Sequence, residues 1–70
     1  MKNGKLMTDY LDACAEDRRL MASGKLEDLQ ELNRRLEAGI ADRLVRAVID
    51  DGWTIPEIDA AYERRFGYRA

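Results

Sequence analysis

The sequence predicts an all-α fold of three or four short helices packed as a small helical bundle. Apolar residues recur at helical spacing along most of the chain, glycines interrupt this spacing, and residues typical of helix N-termini follow the interruptions. A length of 70 residues corresponds to one domain. We therefore interpret residues 1–70 as a single small helical domain, with residues 1–7 as a flexible N-terminus.

The first predicted helix covers residues 8–22. Thr8 is a suitable N-cap, and Asp9 and Asp12 in the first turn complement the positive end of the helix dipole. Gly24 then interrupts the apolar pattern. The helix is therefore expected to end just before this glycine.

The second predicted helix begins near Lys25 and has a leucine stripe on one face. Glu31 lies four residues before Arg35, which is the spacing of a favourable exposed ion pair. We expect the helix to break at Gly39, although one long helix is the alternative, since an interior glycine costs only about 1 kcal/mol relative to alanine. The stripe is suited to pairing with the same helix of a second chain, and this predicted homodimer interface consists of Leu26, Leu29, Leu32 and Leu36.

A third helix after Gly39 is apolar enough to be the most buried of the four, and a fourth follows it. Thr54 and Glu57 form a capping box at the start of the fourth helix, and Pro56 lies in the first turn, where its missing N–H removes no intrahelical bond. Trp53 just before this start is interpreted as a core side chain between the two helices, with an interaction hot spot as the alternative.

Paired arginines precede three of the glycines. Such pairs are typical of the last turn of a helix, where cations offset the negative end of the dipole and glycine adopts the left-handed conformation. Phosphate binding is the alternative interpretation. The three segments are Arg18-Arg19-Leu20 before Gly24, Arg34-Arg35-Leu36 before Gly39, and Arg64-Arg65-Phe66 before Gly67.

Composition argues against an enzyme and against covalent or metal staples. Cys14 is the only cysteine and there is no histidine, so the common nucleophile–base pairs, an internal disulfide and a zinc site are not expected. The acid pairs Asp50-Asp51 and Asp9 with Asp12 are expected to be solvated rather than to bind Ca²⁺ or Mg²⁺. We therefore predict no catalytic, cofactor or metal site. A lone thiol and the lack of an apolar run long enough to span a membrane predict a cytoplasmic protein.

The third and fourth predicted helices resemble a helix-turn-helix, the unit that many DNA-binding regulators use. The resemblance rests on Ala47, Gly52, Ile58 and Ala61. It implies that the fourth helix would enter the major groove of DNA, with Arg64, Arg65 and Arg69 on phosphate. The net charge of −2 opposes this function, since twelve basic residues are outnumbered by fourteen acidic ones. Acids would also face the groove, namely Glu57, Asp59 and Glu63.

The sequence favours a small non-enzymatic regulatory or inhibitory protein of a bacterium or a phage-like mobile element, which binds a larger protein partner through a helical surface. A dimeric helix-turn-helix transcriptional regulator is the alternative. Self-association is expected because a 70-residue core without staples supplies only roughly 3–5 kcal/mol. The residues predicted to bind the partner are Trp53, Tyr62, Arg64, Arg65, Tyr68 and Arg69.

Overall fold

A computed structural model describes residues 2–67, which form four α-helices and no strand. The all-α prediction is confirmed, with four helices rather than three. Their bounds are Gly4–Ser23 for α1, Leu26–Ala38 for α2, Ile40–Asp50 for α3 and Ile55–Phe66 for α4. None of these helices combines the length and the apolar character that crossing a bilayer requires.

The first helix begins earlier than its sequence suggests. Asn3 is the N-cap of α1, and its side-chain oxygen accepts a hydrogen bond of 2.9 Å from the backbone N–H of Lys5. Met7 is buried in the core at 6% exposure. Residues 4–7, which the sequence assigns to the N-terminal segment, therefore form the first turn of α1, and the assignment of Thr8 as the N-cap is wrong. Asparagine caps a helix as well as threonine does, and burial of Met7 stabilises the extra turn.

The central helix of the fold is α1, which packs against each of the other three. It contributes four of the buried apolar side chains, whereas α3 contributes only Val48. The expectation that α3 is the most buried helix is therefore wrong. A helix on the outside of a bundle buries one face only, so the apolar residues of α3 beyond that face stay partly or fully exposed.

Contacts along α1 define the path of the chain. Arg35 near the end of α2 donates to Asp17 at 2.7 Å, so α2 runs antiparallel to the second half of α1. The backbone N–H of Asn3 at the start of α1 donates to Asp51 just after α3, so α3 runs antiparallel to the first half. The fourth helix runs parallel to α1, and its Tyr62 accepts a hydrogen bond from Arg18.

The break between α2 and α3 occurs at Gly39, as predicted. Gly39 has a left-handed backbone with φ of 65°, and its N–H donates to the carbonyls of Arg35 and Leu36. Gly24 and Gly67 end α1 and α4 in the same conformation. The glycines therefore have the helix-terminating role that the sequence assigns to them.

The C-terminal pair of helices has the predicted helix-turn-helix form. A four-residue turn joins α3 to α4, and the capping box is present: the backbone N–H of Glu57 donates to Thr54 Oγ1, while the backbone N–H of Thr54 donates to Glu57 Oε1. Ile58 and Ala61 of α4 are buried in one cluster with Val48 of α3. That same cluster includes Met7 and Leu11 of α1.

The paired arginines do more than end helices. Arg35, Arg64 and Arg65 lie in last turns as predicted, but the last turn of α1 contains no basic residue, so this interpretation is wrong for Arg18 and Arg19. Three arginines also form hydrogen bonds between α1 and another helix. Arg18 of α1 donates to Tyr62 of α4, Arg35 of α2 donates to Asp17 of α1, and Arg65 of α4 donates to Asp12 of α1. The predicted pair of Glu31 with Arg35 is replaced by Glu31 with Arg34, at 2.6 Å.

Candidate interaction surface

Six large apolar side chains are exposed among the described residues. Three lie on α2, two lie on either side of the α3–α4 turn, and one lies on α1. The six are Met21, Leu26, Leu29, Leu36, Ile49 and Ile55. Clustered apolar side chains on a surface mark interaction sites more often than single ones do. The groups on α2 and at the α3–α4 turn are therefore the candidate functional surfaces.

The first group lies on α2 and is called the leucine strip: Leu26, Leu29 and Leu36. Leu26 and Leu36 are 71% and 61% exposed. Leu32 is buried at 7% exposure against the rest of the bundle. The predicted stripe of four leucines is therefore divided, because one leucine contributes to the core of the monomer and three face solvent.

The second group lies where α3 meets α4 and is called the α3–α4 corner: Ile49, Trp53 and Ile55. Ile49 is in the last turn of α3 and Ile55 is the first residue of α4, at 43% and 56% exposure. The N–H of Gly52 donates to the Ile49 carbonyl and that of Trp53 to the Val48 carbonyl. These bonds and the capping box fix the turn, so the corner has a defined shape.

Trp53 packs against the core, as one of its two interpretations predicts, but it is not fully buried. The indole packs against the core cluster but is only partly buried, and its Nε1–H is buried without a hydrogen-bond acceptor. The Lys2 ammonium lies 5.1 Å from the centre of the ring and also pairs with Glu57. A cation over an indole face is attractive. Lys2, which lies just before α1, thereby connects the start of α1 to the corner.

Of the other residues predicted to bind a partner, Tyr62 packs against the same core cluster as Trp53, whereas the two arginines lie toward the other end of α4. Arg64 and Arg65 are about 14–15 Å along the helix from Ile55, given a rise of 1.5 Å per residue. Arg64 is exposed, and Arg65 donates to Asp12 at 2.9 Å. Tyr62 is partly buried and packs on the ring of Phe66 at 4.5 Å. Tyr68 and Arg69 lie outside the described residues.

The acids of α4 have different environments. Glu57 holds the capping box and pairs with Lys2, and these hydrogen bonds lower the pKa of its carboxyl to about 2. Asp59 and Glu63 are exposed on the helix. Glu57 is therefore held by the fold, and Asp59 and Glu63 are the exposed acids that a ligand of α4 would meet if the resemblance to a DNA-binding unit holds.

The polar groups of the interior offer little acid–base chemistry. Burial raises the pKa of the Cys14 thiol, and a hydrogen bond with Tyr10 opposes this shift. Burial also raises the pKa of the Tyr10 hydroxyl. Both groups are therefore protonated at neutral pH. Within residues 2–67 no three acids or thiols lie close enough together to hold a metal ion.

Sequence reasoning missed Met21, Ile49 and Ile55 as surface residues. Ile49 and Ile55 continue the helical spacing of apolar residues, but Ile49 follows the buried Val48 by one position, a rotation of about 100° that turns it away from the core. That rotation was the available signal.

Comparison of the chain with protein families, with curated proteins and with solved structures gives no match in any of the three.

Proposed function

We propose that this protein is a non-enzymatic regulatory or inhibitory protein of the cytoplasm that binds a larger protein partner through the α3–α4 corner. The observation that carries the proposal is the exposure of Ile49 and Ile55 on either side of Trp53. Large apolar side chains around an aromatic residue are the usual anchors of protein interfaces. We also propose that it acts as a homodimer.

The shape of the corner supports a protein as the ligand. Ile49 and Ile55 lie at two helix ends and are exposed, whereas small ligands bind in concave sites that bury most of the ligand. Exposed apolar side chains of this kind are typical of surfaces that a partner protein covers. The fixed turn supports binding further, since a surface that is ordered before binding loses little conformational entropy when the complex forms.

Charge near the corner favours a partner with a basic rim. Asp50 beside Ile49 and Asp59 in the second turn of α4 are both exposed. Such charges at the edge of an interface increase the rate of association with an oppositely charged partner and add little to affinity once bound. The complex should therefore form more slowly as salt concentration rises, while its rate of dissociation stays nearly constant.

The test is capture of the partner from a nuclease-treated lysate of the source organism by variants of the immobilised chain. Ile49→Ser with Ile55→Ser should lose a protein that the wild type retains. Leu26→Ser with Leu36→Ser removes a similar apolar area elsewhere and is the matched control. Equal capture by wild type and the corner variant would contradict the proposal.

DNA binding through α4 is the second candidate function. It is favoured by the helix-turn-helix form of the C-terminal pair and by the exposed Arg64 in the last turn of α4. Asp59 and Glu63 oppose it, because acids on the groove-facing side of a recognition helix are repelled by phosphate. The corner is therefore preferred as the site of function.

A further inference from the structure

We infer that the leucine strip binds the leucine strip of a second copy of this chain, with the two α2 helices antiparallel. This inference deepens the proposed homodimer and is independent of the α3–α4 corner. It names the occupant of the surface, the orientation of the pair and the residues that meet.

The spacing of the outward residues fits a helix–helix seam. Leu26, Leu29, Asn33 and Leu36 are separated by three, four and three residues, which is the spacing of the core positions of a coiled coil. Asn33 is exposed like the strip. Leu32, which the sequence assigned to this seam, is directed into the monomer instead. Asn33 therefore takes the place of Leu32 as the fourth seam residue.

A two-fold axis beside residue 31 places each of these four positions opposite one of the four in the second copy. Residues whose numbers add to 62 then lie opposite each other, so Leu26 meets Leu36 of the second copy and Leu29 meets its Asn33. The two most exposed leucines of the strip thereby cover each other across the pair. In a parallel pair, by contrast, Asn33 would meet a second Asn33 in the middle of the seam.

Charge along α2 also favours the antiparallel orientation. Glu27 and Asp28 make the first turn acidic, whereas Arg35 lies in the last turn and Arg34 precedes it. A parallel pair places the two acidic turns side by side and aligns the helix dipoles unfavourably. An antiparallel pair instead places the acidic end of each helix at the same end of the pair as Arg34 and Arg35 of the other, with the helix dipoles opposed. Arg34 is exposed and already pairs with Glu31 of its own helix.

The first test is sedimentation equilibrium of the full chain at micromolar concentration. The wild type should sediment at twice its 8.0 kDa mass. Leu26→Ser with Leu36→Ser should sediment as a monomer and retain its helical circular dichroism, because neither leucine contributes to the core. Ile49→Ser with Ile55→Ser is the matched control and should remain dimeric. A monomeric wild type, or a dimer that survives loss of both leucines, would overturn the inference.

A gain-of-function variant extends this test. Replacing Asn33 by leucine removes the polar residue of the seam, and it should lower the dissociation constant of the dimer by about tenfold or more. An unchanged or weaker dimer would mean that Asn33 lies outside the contact. This result does not depend on whether a variant folds poorly, since the change is expected to strengthen the assembly.

The second test determines the orientation by disulfide trapping in a Cys14→Ala background. A mixture of Leu29→Cys chains and Asn33→Cys chains should form the mixed disulfide, whereas Asn33→Cys chains alone should cross-link poorly. Efficient cross-linking of Asn33→Cys to itself would reveal a parallel dimer and overturn the antiparallel arrangement. Partner capture by the corner variants is measured separately, so that failure of either proposal can be recognised by itself.

Discussion

Glu57 illustrates how one side chain can serve several contacts at once. It closes the capping box with Thr54 and pairs with Lys2, whose ammonium also lies over Trp53. These contacts connect the start of α1, the α3–α4 turn and the first turn of α4. Loss of charge at this one residue should therefore loosen the corner as well as the helix cap.

The lowered pKa of Glu57 gives a defined pH dependence. Its pKa falls from the ordinary 4.5 to about 2 in the folded chain, so its contribution to stability is complete above about 4.5 and is lost as the pH falls toward 2. In Glu57→Gln the amide can still accept the capping bond but does not titrate. The melting temperature should therefore depend less on pH in this range. Thermal melts between pH 2 and pH 5 measure this. Glu27→Gln, an acid outside the cap, is the control, and an equal flattening by both variants would contradict the assignment.

Trp53 should matter for stability in proportion to its partial burial. Trp53→Ala is expected to destabilise the fold by about 2–4 kcal/mol, at or below the range for a fully buried aromatic residue. Trp53→Phe keeps much of the apolar contact and removes the Nε1–H that lacks an acceptor, so it should cost less than about 1.5 kcal/mol. Denaturant melts of both variants decide the point. A loss below about 1 kcal/mol for Trp53→Ala would show that the indole does not support the core.

At the scale of helices, the chain depends on where α2 ends and α3 begins. Gly39 allows the two helices to pack against successive parts of α1 with a change of direction between them, and its φ of 65° is one that other residues seldom adopt. A continuous helix through this position would be straight. It would then carry either Leu32 or Val48 away from α1.

Replacing Gly39 by alanine tests this break through the sign of its effect. The left-handed backbone should make Gly39→Ala destabilising by about 1–2 kcal/mol, although nothing lies within 4 Å of the added methyl group. Within one long helix the same change would stabilise by about 1 kcal/mol. Gly4→Ala is the control, because Gly4 begins α1 with ordinary dihedral angles and should be neutral or slightly stabilising. Unfolding free energies of both variants give the comparison.

Most of the helix ends were predictable from sequence because their signals are local. The start of α1 was not, since Asn3 and Thr8 are both suitable caps and the burial of Met7 favours the earlier one. Gly39 and the pair of Thr54 with Glu57 act through their immediate neighbours, and both were identified correctly. The separation of core from surface was less predictable, since it depends on which face each helix turns toward α1. Leu32 and Leu36 have the same side chain four residues apart, yet one is buried and the other is 61% exposed. No local pattern distinguishes them.

At the scale of the whole molecule, mixed charge limits the binding of nucleic acid. We expect affinity for random duplex DNA at or weaker than the ~10⁻⁴–10⁻⁶ M that is typical of non-specific binding. Asp59→Asn with Glu63→Gln should raise it, because both carboxylates are exposed on α4 and neither substitution touches the cap. Titration of labelled DNA at physiological salt measures the change, with Glu27→Gln on α2 as the control.

Selection of bound genomic fragments completes this comparison. The second candidate function predicts one enriched palindrome bound at ~10⁻⁸ M or tighter, with binding abolished by Arg64→Ala. Such a result would favour DNA as the physiological ligand. A selection that enriches no sequence would instead agree with a protein partner at the α3–α4 corner.

The central position of α1 has a consequence for how the protein is made. Ribosomes synthesise α1 first, but Met7 and Leu11 acquire their buried neighbours only when Val48, Ile58 and Ala61 have followed. Until then the apolar side of the nascent helix stays uncovered, and uncovered apolar surface promotes aggregation. The fourth helix thus completes the burial of the first, so a nascent chain that ends between α2 and α4 exposes this apolar surface and is open to proteolysis.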